Sequence, residues 1–90
     1  QVDMAIRERK IYMEPDITLD TLAESLSIEP RDLSTLVNRH FGVNFYEFIN
    51  RYRIEEAKRM LMSDEYRSTT ITEIYLEVGF NSKSVFYTFF

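Results

Sequence analysis

The sequence predicts an all-α fold in which two helix-turn-helix subdomains are bridged by one long central helix. Only two glycines and two prolines occur in 90 residues, which disfavours the many turns of an all-β protein. Apolar residues recur at helical spacing along residues 44–62, and this indicates one long helix. A shorter pattern of helix, turn and helix occurs both before and after it.

The central helix is predicted to begin at Asn44. The Asn44 side chain is placed to cap the first turn, and Glu47, three positions later, to reach back to the backbone of Asn44. Glu55 and Glu56 precede Arg59 at helical spacing, which is typical of a face in contact with water. The residues expected to be buried are Phe45, Phe48, Ile49, Tyr52, Ile54, Ala57, Met60 and Leu61.

Three short helices are predicted before the central one. Charged and apolar residues alternate over residues 4–13, as in an amphipathic helix, and Pro15 ends that pattern. Thr18 is a suitable N-cap for a second helix over residues 19–26. After a short turn, Pro30 starts a third helix that reaches His40. The residues expected to be buried are Leu19, Leu22, Ala23, Leu26, Leu33, Leu36 and Val37.

Two further helices are predicted after a polar loop at residues 63–68. Thr70 and Glu73 form the pattern of a capping box before a helix over residues 71–78. Gly79 and Phe80 then turn the chain. Asn81 is placed to cap the last helix, which runs from residue 82 to residue 90.

The two helix-turn-helix patterns are an internal repeat with an offset of 52 residues. One such unit alone is as consistent with plain helix packing as with DNA binding. Two units at a fixed distance match two successive major-groove segments, which lie about 34 Å apart. The offset superimposes Leu22 on Ile74, Leu26 on Val78, Ile28 on Phe80, Glu29 on Asn81, Pro30 on Ser82, Leu33 on Val85 and Val37 on Phe89.

The net charge of −4 works against DNA binding, so the distribution of charge matters more than its sum. Six acids and one arginine fall within residues 14–32, whereas residues 33–60 carry five cations and three acids. DNA binding predicts that one face unites both reading helices with Arg31, Arg39, Arg51, Arg53 and Lys83. Acids interrupting that face would favour the alternative, a helical protein-interaction domain with reduced or no DNA affinity.

Other classes of function find little support in the sequence. Since there is no cysteine, disulfides and thiolate metal sites are excluded. No apolar run reaches membrane-spanning length. His40 is the one histidine, and it lies near a predicted helix end with no serine at a fixed catalytic spacing. We therefore expect no enzyme activity, no metal site, no cofactor and no small-molecule site.

Residues 5–90 resemble the AraC/XylS family of bacterial transcription regulators. The resemblance implies a homeodomain-like, AraC-type fold, and this chain would end inside the sixth helix, before a final seventh. It divides the chain into a first subdomain at 1–43, a bridging helix at 44–62 and an incomplete second subdomain at 63–90. The matching residues are Leu22-Ala23, Leu33-Ser34, Phe41-Gly42, Phe48-Ile49, Arg53, Glu56-Ala57, Ile74, Val78-Gly79-Phe80, Asn81-Ser82-Lys83-Ser84 and Phe86.

The family's base-reading positions imply a DNA-binding surface on the second helix of each unit. Arginine binds guanine bidentately, whereas serine and threonine are permissive donors and acceptors. Asn44 and the backbone N–H groups beside it are expected to face a phosphate. The base-reading positions fall on Arg31, Ser34, Thr35 and Asn38 in the first unit, and on Lys83, Ser84 and Tyr87 in the second.

Three residues depart from the family pattern. Tyr75 stands where the family has a small alanine and where the repeat itself has Ala23. Either the helices of the second unit cross at a greater distance, or Tyr75 points outward. Val85 replaces an aromatic residue, and Thr88 replaces an arginine, which removes a phosphate contact. We therefore expect the second unit to be the weaker reader.

The resemblance implies double-stranded DNA as the partner of a cytoplasmic, sequence-specific DNA-binding domain. It also implies a longer parent protein, either soluble or membrane-anchored, with an upstream sensing or dimerising region. The acidic surface around Asp20 and Glu24 is most simply a hydrated face. In this family such a surface is also a candidate contact for RNA polymerase.

Overall fold

The computed structural model describes residues 2–90, and it confirms the all-α fold. Within those residues there is no strand. The long axis of the molecule measures 41 Å, against 24 and 21 Å for the other two. The α-helices are α1 (Val2–Arg9), α2 (Leu19–Ser25), α3 (Pro30–Leu36), α4 (Phe45–Leu61), α5 (Ile71–Glu77) and α6 (Lys83–Phe89). Two 3-10 turns span Ile11–Met13 and Asp64–Tyr66, and a π turn spans Val37–Phe41.

The first predicted helix, residues 4–13, is broken at Lys10. This residue has a φ of 53°, in the left-handed region, so α1 ends at Arg9 and a 3-10 turn follows. The break lets both Ile6 and Tyr12 enter the same core as the first half of α4. The prediction of one continuous helix is wrong because an alternation of charged and apolar residues does not reveal a change in backbone direction.

The first helix-turn-helix unit consists of α2 and α3. Thr18 caps α2 as predicted, since its hydroxyl oxygen accepts a hydrogen bond from the N–H of Thr21 at 3.1 Å. Pro30 opens α3, and α3 continues into the π turn that ends at Gly42, whose φ is +71°. Of the residues expected to be buried, Leu22, Ala23, Leu33 and Val37 are buried, while Leu19, Leu26 and Leu36 are half-buried.

The central helix α4 spans 17 residues and begins at the predicted cap. The Asn44 side-chain oxygen accepts a hydrogen bond from the N–H of Glu47 at 2.8 Å, whereas the Glu47 carboxylate pairs with Arg51 at 2.8 Å. Two expectations are wrong: Glu56 is only 9% exposed, and Leu61 is 41% exposed. The middle of α4 is covered on more than one side, whereas its end is less covered, so the buried stripe changes in width along the helix.

Two clusters of buried residues lie along α4. Met13, from the first 3-10 turn, packs against both of them. The first cluster unites α1, α2 and α3 with the beginning of α4 through Ile6, Tyr12, Leu22, Ala23, Leu33, Val37, Phe48, Ile49 and Tyr52. The second unites α5 and α6 with the rest of α4 through Ile54, Ala57, Met60, Ile74, Tyr75, Val78, Phe80 and Phe86.

The second helix-turn-helix unit consists of α5 and α6, and it repeats the first with one change in its turn. Thr70 caps α5 as predicted. The cap of α6 is Ser82 and not Asn81, because the Ser82 hydroxyl oxygen accepts the hydrogen bond from the N–H of Val85 at 3.1 Å. The connection from α5 to α6 therefore has one residue more than that from α2 to α3. The repeat offset is 52 residues as far as Phe80 and 53 within α6.

Tyr75 lies in the core of the second unit, so an outward orientation is wrong. Its ring is 9% exposed and stacks on Phe86 with 5.5 Å between ring centroids. An aromatic ring thus occupies the position that Ala23 occupies in the first unit. The wider helix crossing that this implies stays a prediction.

Candidate DNA interface

The turn between the two helices has the same backbone hydrogen bond in both units. The N–H of Ile28 donates to the carbonyl of Ala23 at 3.0 Å, and the N–H of Phe80 donates to the carbonyl of Tyr75 at 3.0 Å. The residue before each donor has a positive φ, 59° in the first unit and 112° in the second. The backbone therefore leaves the first helix of each unit in the same manner.

The helix α3 carries the predicted site residues of the first unit on its outer side. Arg31 and Thr35 are exposed one turn apart, and Ser34 between them is half-buried. Asn38 is exposed in the π turn, where its amide nitrogen donates to the carbonyl of Ser34 at 3.0 Å. Since Leu33 anchors the opposite side in the core, α3 presents a guanidinium, two hydroxyls and an amide to the outside.

The helix α6 carries the predicted site residues of the second unit. Lys83, Ser84 and Tyr87 are all exposed, whereas Phe86 is fully buried. The Tyr87 ring lies edge-on against Phe86, with 5.0 Å between ring centroids, and is held against the helix. The Thr88 hydroxyl donates to the carbonyl of Ser84 at 3.0 Å. This helix therefore presents one cation and three hydroxyl groups.

The longer turn changes which residues of α3 and α6 correspond. We superimpose the fully buried residue of each helix, Leu33 of α3 and Phe86 of α6. Ser84 then falls at the position of Arg31, and Thr88 at the position of Thr35. Thr88 is therefore exposed at the position that Thr35 has in the first unit, and it is not among the site residues predicted from the sequence. With an offset of 52 it corresponds to the half-buried Leu36. The sequence does not show the extra residue, because asparagine and serine are equally good helix caps.

Asn44 is exposed at the start of α4, between the two units in the sequence. Its side-chain oxygen is engaged as the cap, and its amide nitrogen is a donor. The first backbone N–H groups of a helix have no partner within the helix, and its N-terminus is the positive end of the helix dipole. This end of α4 therefore offers the arrangement of donors that binds a phosphate.

The cations expected on the DNA-facing side fall into three groups. Arg31, Arg39 and Lys83 are exposed, and none of them takes part in an ion pair within residues 2–90. Arg51 is exposed but pairs with an acid one turn earlier. Arg53 is 7% exposed, and burial lowers the pKa of its guanidinium. The expectation that Arg53 shares the outer face is therefore wrong.

A groove of about 420 Å³ lies between the two units. It is lined by residues at the starts of α2, α4 and α6, with Asn50 and Arg53 as its buried polar residues. In the described part of the chain no group of acidic or histidine side chains is arranged to hold a metal ion. No helix there is long and apolar enough to cross a membrane.

Several known proteins are similar to this chain in sequence. A family model described as a helix-turn-helix domain matches residues 22–90. An uncharacterized HTH-type transcriptional regulator of Staphylococcus aureus (strain COL) is 35% identical over 77 residues, which are 86% of this chain and 10% of that protein. The regulatory protein PchR of Pseudomonas aeruginosa is 38% identical over 48 residues, which are 53% of this chain and 16% of that protein. The chain thus spans only a small part of these relatives.

Two solved structures share the fold. The C-terminal domain of the two-component response regulator yesN from Fusobacterium nucleatum is 30% identical, with a TM-score of 0.69 over 99% of this chain and 87% of that chain. A Listeria innocua protein of unknown function is 27% identical, with a TM-score of 0.71 over 99% of this chain and 79% of that chain. None of these findings favours the protein-interaction alternative.

Proposed function

The chain belongs to the AraC-type helix-turn-helix family of transcriptional regulators, and on that premise we propose that it binds double-stranded DNA with sequence specificity. It acts as the DNA-binding domain of a bacterial regulator and not as an enzyme. The helices α3 and α6 enter adjacent segments of the major groove and read their base edges, while α4 holds the two helices apart.

One observation carries this proposal: two copies of the same unit pack on successive parts of one continuous helix, α4. A helix of 17 residues is about 26 Å long, and the whole molecule extends over 41 Å. Successive major-groove segments on one face of DNA lie about 34 Å apart. The molecule is therefore long enough to reach both segments, and each unit supplies one exposed helix for one segment.

In the first unit we assign base reading to α3. The Arg31 guanidinium is exposed, forms no ion pair within residues 2–90 and is long enough to donate to both guanine acceptors in the major groove. Thr35 follows one turn later and supplies a hydroxyl and a methyl group, with Ser34 beside it. Asn38 already donates one amide N–H to the carbonyl of Ser34, so its second N–H and its side-chain oxygen are left for a contact with DNA.

In the second unit we assign base reading to α6, with a different chemistry. Ser84 occupies the position of Arg31, so this helix has a short hydroxyl where α3 has a guanidinium. Lys83 at the first position of the helix supplies a point charge for phosphate or guanine. Tyr87 and Thr88 extend the exposed row. A helix with one cation and three hydroxyl groups discriminates less between bases, so α6 is the weaker reader.

Phosphate contacts come from positions outside these helices. The start of α4 at Asn44 supplies N–H donors. Arg39 is exposed, has no ion-pair partner among the described residues, and adds a charge near the end of the π turn. The acids of residues 14–32 lie mostly on other elements, but Asp32 is exposed on α3 beside Arg31. This acid opposes the phosphate field locally, and we expect its removal to tighten binding to all sequences alike.

The wider setting follows from the family. The subdomain limits 1–43, 44–62 and 63–90 stay predictions, supported by the division of the core into two clusters. We further propose a cytoplasmic location, a parent protein with an upstream sensing or dimerising region, and contact of the acidic α2 surface with RNA polymerase. The curated relatives support a longer parent, since each match covers a small part of a longer regulator.

The role of Arg31 provides a direct test of the proposal. We expect Arg31→Ala to cost about 1–3 kcal/mol of binding free energy and to relax the preference at a single base pair. Arg67→Ala is the matched control, because Arg67 is exposed and lies in the loop after α4, and its one ion pair within residues 2–90 is with Asp64. The measurement is a titration of each variant with two kinds of DNA: the site that the wild-type chain selects from a random-sequence pool, and the single-base variants of that site. An equal loss on every DNA would refute base reading by Arg31.

A further inference from the structure

Arg53 lies in the middle of α4, and its guanidinium is buried without a carboxylate partner in the described part of the chain. Its donors are instead directed to main-chain and amide oxygens. Nε donates to the carbonyl of Tyr12 at 2.7 Å, and Nη2 donates to the carbonyl of Glu14 at 2.9 Å. Nη1 donates to the side-chain oxygen of Asn50 at 2.9 Å. The guanidinium therefore fastens the segment after α1 to the middle of α4.

The turn of the second unit lies close to the same guanidinium. The Phe80 ring centroid is 5.8 Å from the central carbon of the Arg53 guanidinium. At Gly79, a Cβ atom would lie 2.7 Å from Arg53 Nε, 2.8 Å from the carbonyl oxygen of Tyr12 and 3.0 Å from that of Met13. Only glycine fits there, because φ is +112° and there is no room for a side chain.

Three parts of the chain therefore meet at one point: the 3-10 turn that precedes the first unit, the middle of α4 and the turn of the second unit. We call this meeting point the joint, and define it by Met13, Arg53 and Gly79. Met13 belongs to it because its side chain packs against both core clusters. Each unit also packs on α4 separately, and the joint adds a direct contact between the segment before the first unit and the turn of the second unit.

We propose that the joint sets the angle and the separation of the two units, and thereby determines the spacing between the two half-elements of the DNA site. Arg53 is a positioning residue, because it is buried and does not lie on the outer face. This inference rests on the two-unit reading proposed above. A shift of one base pair moves a half-element by about 3.4 Å and rotates it about the DNA axis. A rigid joint does not follow such a shift, whereas a loosened one does.

The test uses Arg53→Lys, which keeps the charge but loses the planar fork that binds two carbonyls at once. Affinity is measured for the DNA site that the wild-type chain selects from a random-sequence pool. It is then measured for two altered sites, in which one base pair is added or removed between the half-elements. We expect the wild-type chain to lose about 10- to 100-fold in affinity for each altered spacing, the equivalent of one good base contact. In Arg53→Lys the ratio between the affinities for the selected and the altered spacing falls towards one. The affinity of this variant for an isolated first half-element stays within about twofold of the wild-type value. Arg59→Lys, an exposed position on the same helix, is the matched control and keeps the wild-type ratio.

A second measurement is independent of DNA. The chain has no cysteine, so spin labels attach only at the introduced pair Glu24→Cys and Glu77→Cys, which lie on exposed sites of α2 and α5. We expect a narrow distribution of label distances in the wild-type background and a broader or shifted one with Arg53→Lys. Should Arg53→Lys unfold, Met13→Ala loosens the joint more gently and takes its place in both measurements.

The outcomes separate this inference from the proposed function. A folded joint variant with an unchanged distance distribution, or with an unchanged spacing ratio, overturns the role of the joint. A wild-type chain that binds no bipartite DNA overturns the proposed function, and with it the consequence for spacing. In that case the distance distribution alone decides whether the joint orients the two units.

Discussion

Glu56 is the buried carboxylate of α4, and replacing it with glutamine tests how the central helix is held to the segment before the first helix-turn-helix unit. Its side chain is 10% exposed and accepts hydrogen bonds from Arg59 Nε at 2.9 Å and Arg59 Nη2 at 2.7 Å. Lys10 Nζ, from the turn after α1, lies 3.5 Å from the same carboxylate. Glu56→Gln keeps the shape of the side chain but removes its charge and one of its two acceptor oxygens.

The cost follows from these contacts. A hydrogen bond to a charged group contributes about 1.5–3 kcal/mol when buried. Both cations here are half-exposed, so water screens part of this contribution. The amide oxygen of glutamine still accepts one bond from Arg59. We therefore expect Glu56→Gln to lower the free energy of unfolding by about 1–2 kcal/mol at pH 7. Glu55→Gln is the matched control: Glu55 is 57% exposed and paired with Arg7, and we expect a loss of about 0.5 kcal/mol or less.

The dependence on pH identifies the cause. The bond from Arg59 and the nearby Lys10 hold the pKa of Glu56 below its usual value of 4.5. A lowered pKa in the folded state contributes stability that is present above the unfolded pKa and lost as the pH falls through the folded pKa. Urea unfolding at several pH values should give a constant difference from pH 7 to about pH 5 and a shrinking one below about pH 4. A difference that is equal at pH 3 and pH 7, or no greater than that of the Glu55 control, would refute the reasoning.

Three further substitutions probe stability, each measured by urea unfolding. Tyr52→Phe removes the hydrogen bond that Tyr52 donates to Asp3 at 2.5 Å and that lowers the pKa of Asp3. We expect the free energy of unfolding to fall by about 1–2 kcal/mol above pH 5, and this loss to fade below about pH 4. A loss that does not depend on pH would contradict this cause. Asn44→Ala removes a helix cap and should cost about 1 kcal/mol, while Asn81→Ala, which caps nothing, should cost little. Tyr75→Ala should cost about 3 kcal/mol, because it empties a core position, and a loss below about 1 kcal/mol would show that the ring is not packed.

The sequence predicted the helices well where local chemistry determines them. Thr18, Asn44 and Thr70 are short polar residues before apolar helical patterns, and all three cap a helix in the structure. The apolar stripe of α4 was also correct over most of its length. These features depend on residues near in sequence, so spacing and side-chain chemistry are sufficient to find them.

Contacts between distant parts of the chain were not predictable in the same way. Arg53 and Glu56 read as charges on a hydrated face, yet both are buried because the turn after α1 folds over the middle of α4. The break at Lys10, which allows this, leaves no mark in the alternation of charged and apolar residues. Sequence patterns therefore predict the wrong exposure for a charged residue whose partner is a backbone carbonyl or side chain far away in the sequence.

The predicted DNA-binding residues are exposed, apart from Ser34, which is half-buried. They lie on α3 and α6, except Asn38 in the π turn and Asn44 at the start of α4. Their roles in binding stay predictions. The register of α6 was one residue off, because either Asn81 or Ser82 is a good cap and only the packing of Phe86 decides between them. With this change of register, Thr88 corresponds to the exposed Thr35 and not to the half-buried Leu36.

The central claim is that two units on one helix read two neighbouring major-groove segments, and selection of bound DNA from a random-sequence pool by this chain tests it most directly. The account predicts an enriched bipartite site whose half-elements lie about 10 base pairs apart, with the stronger preference in the half bound by α3. Titration of that site at two salt concentrations should show affinity falling as salt rises. A folded sample that enriches no sequence, or that enriches two half-elements without a fixed spacing, would contradict the account.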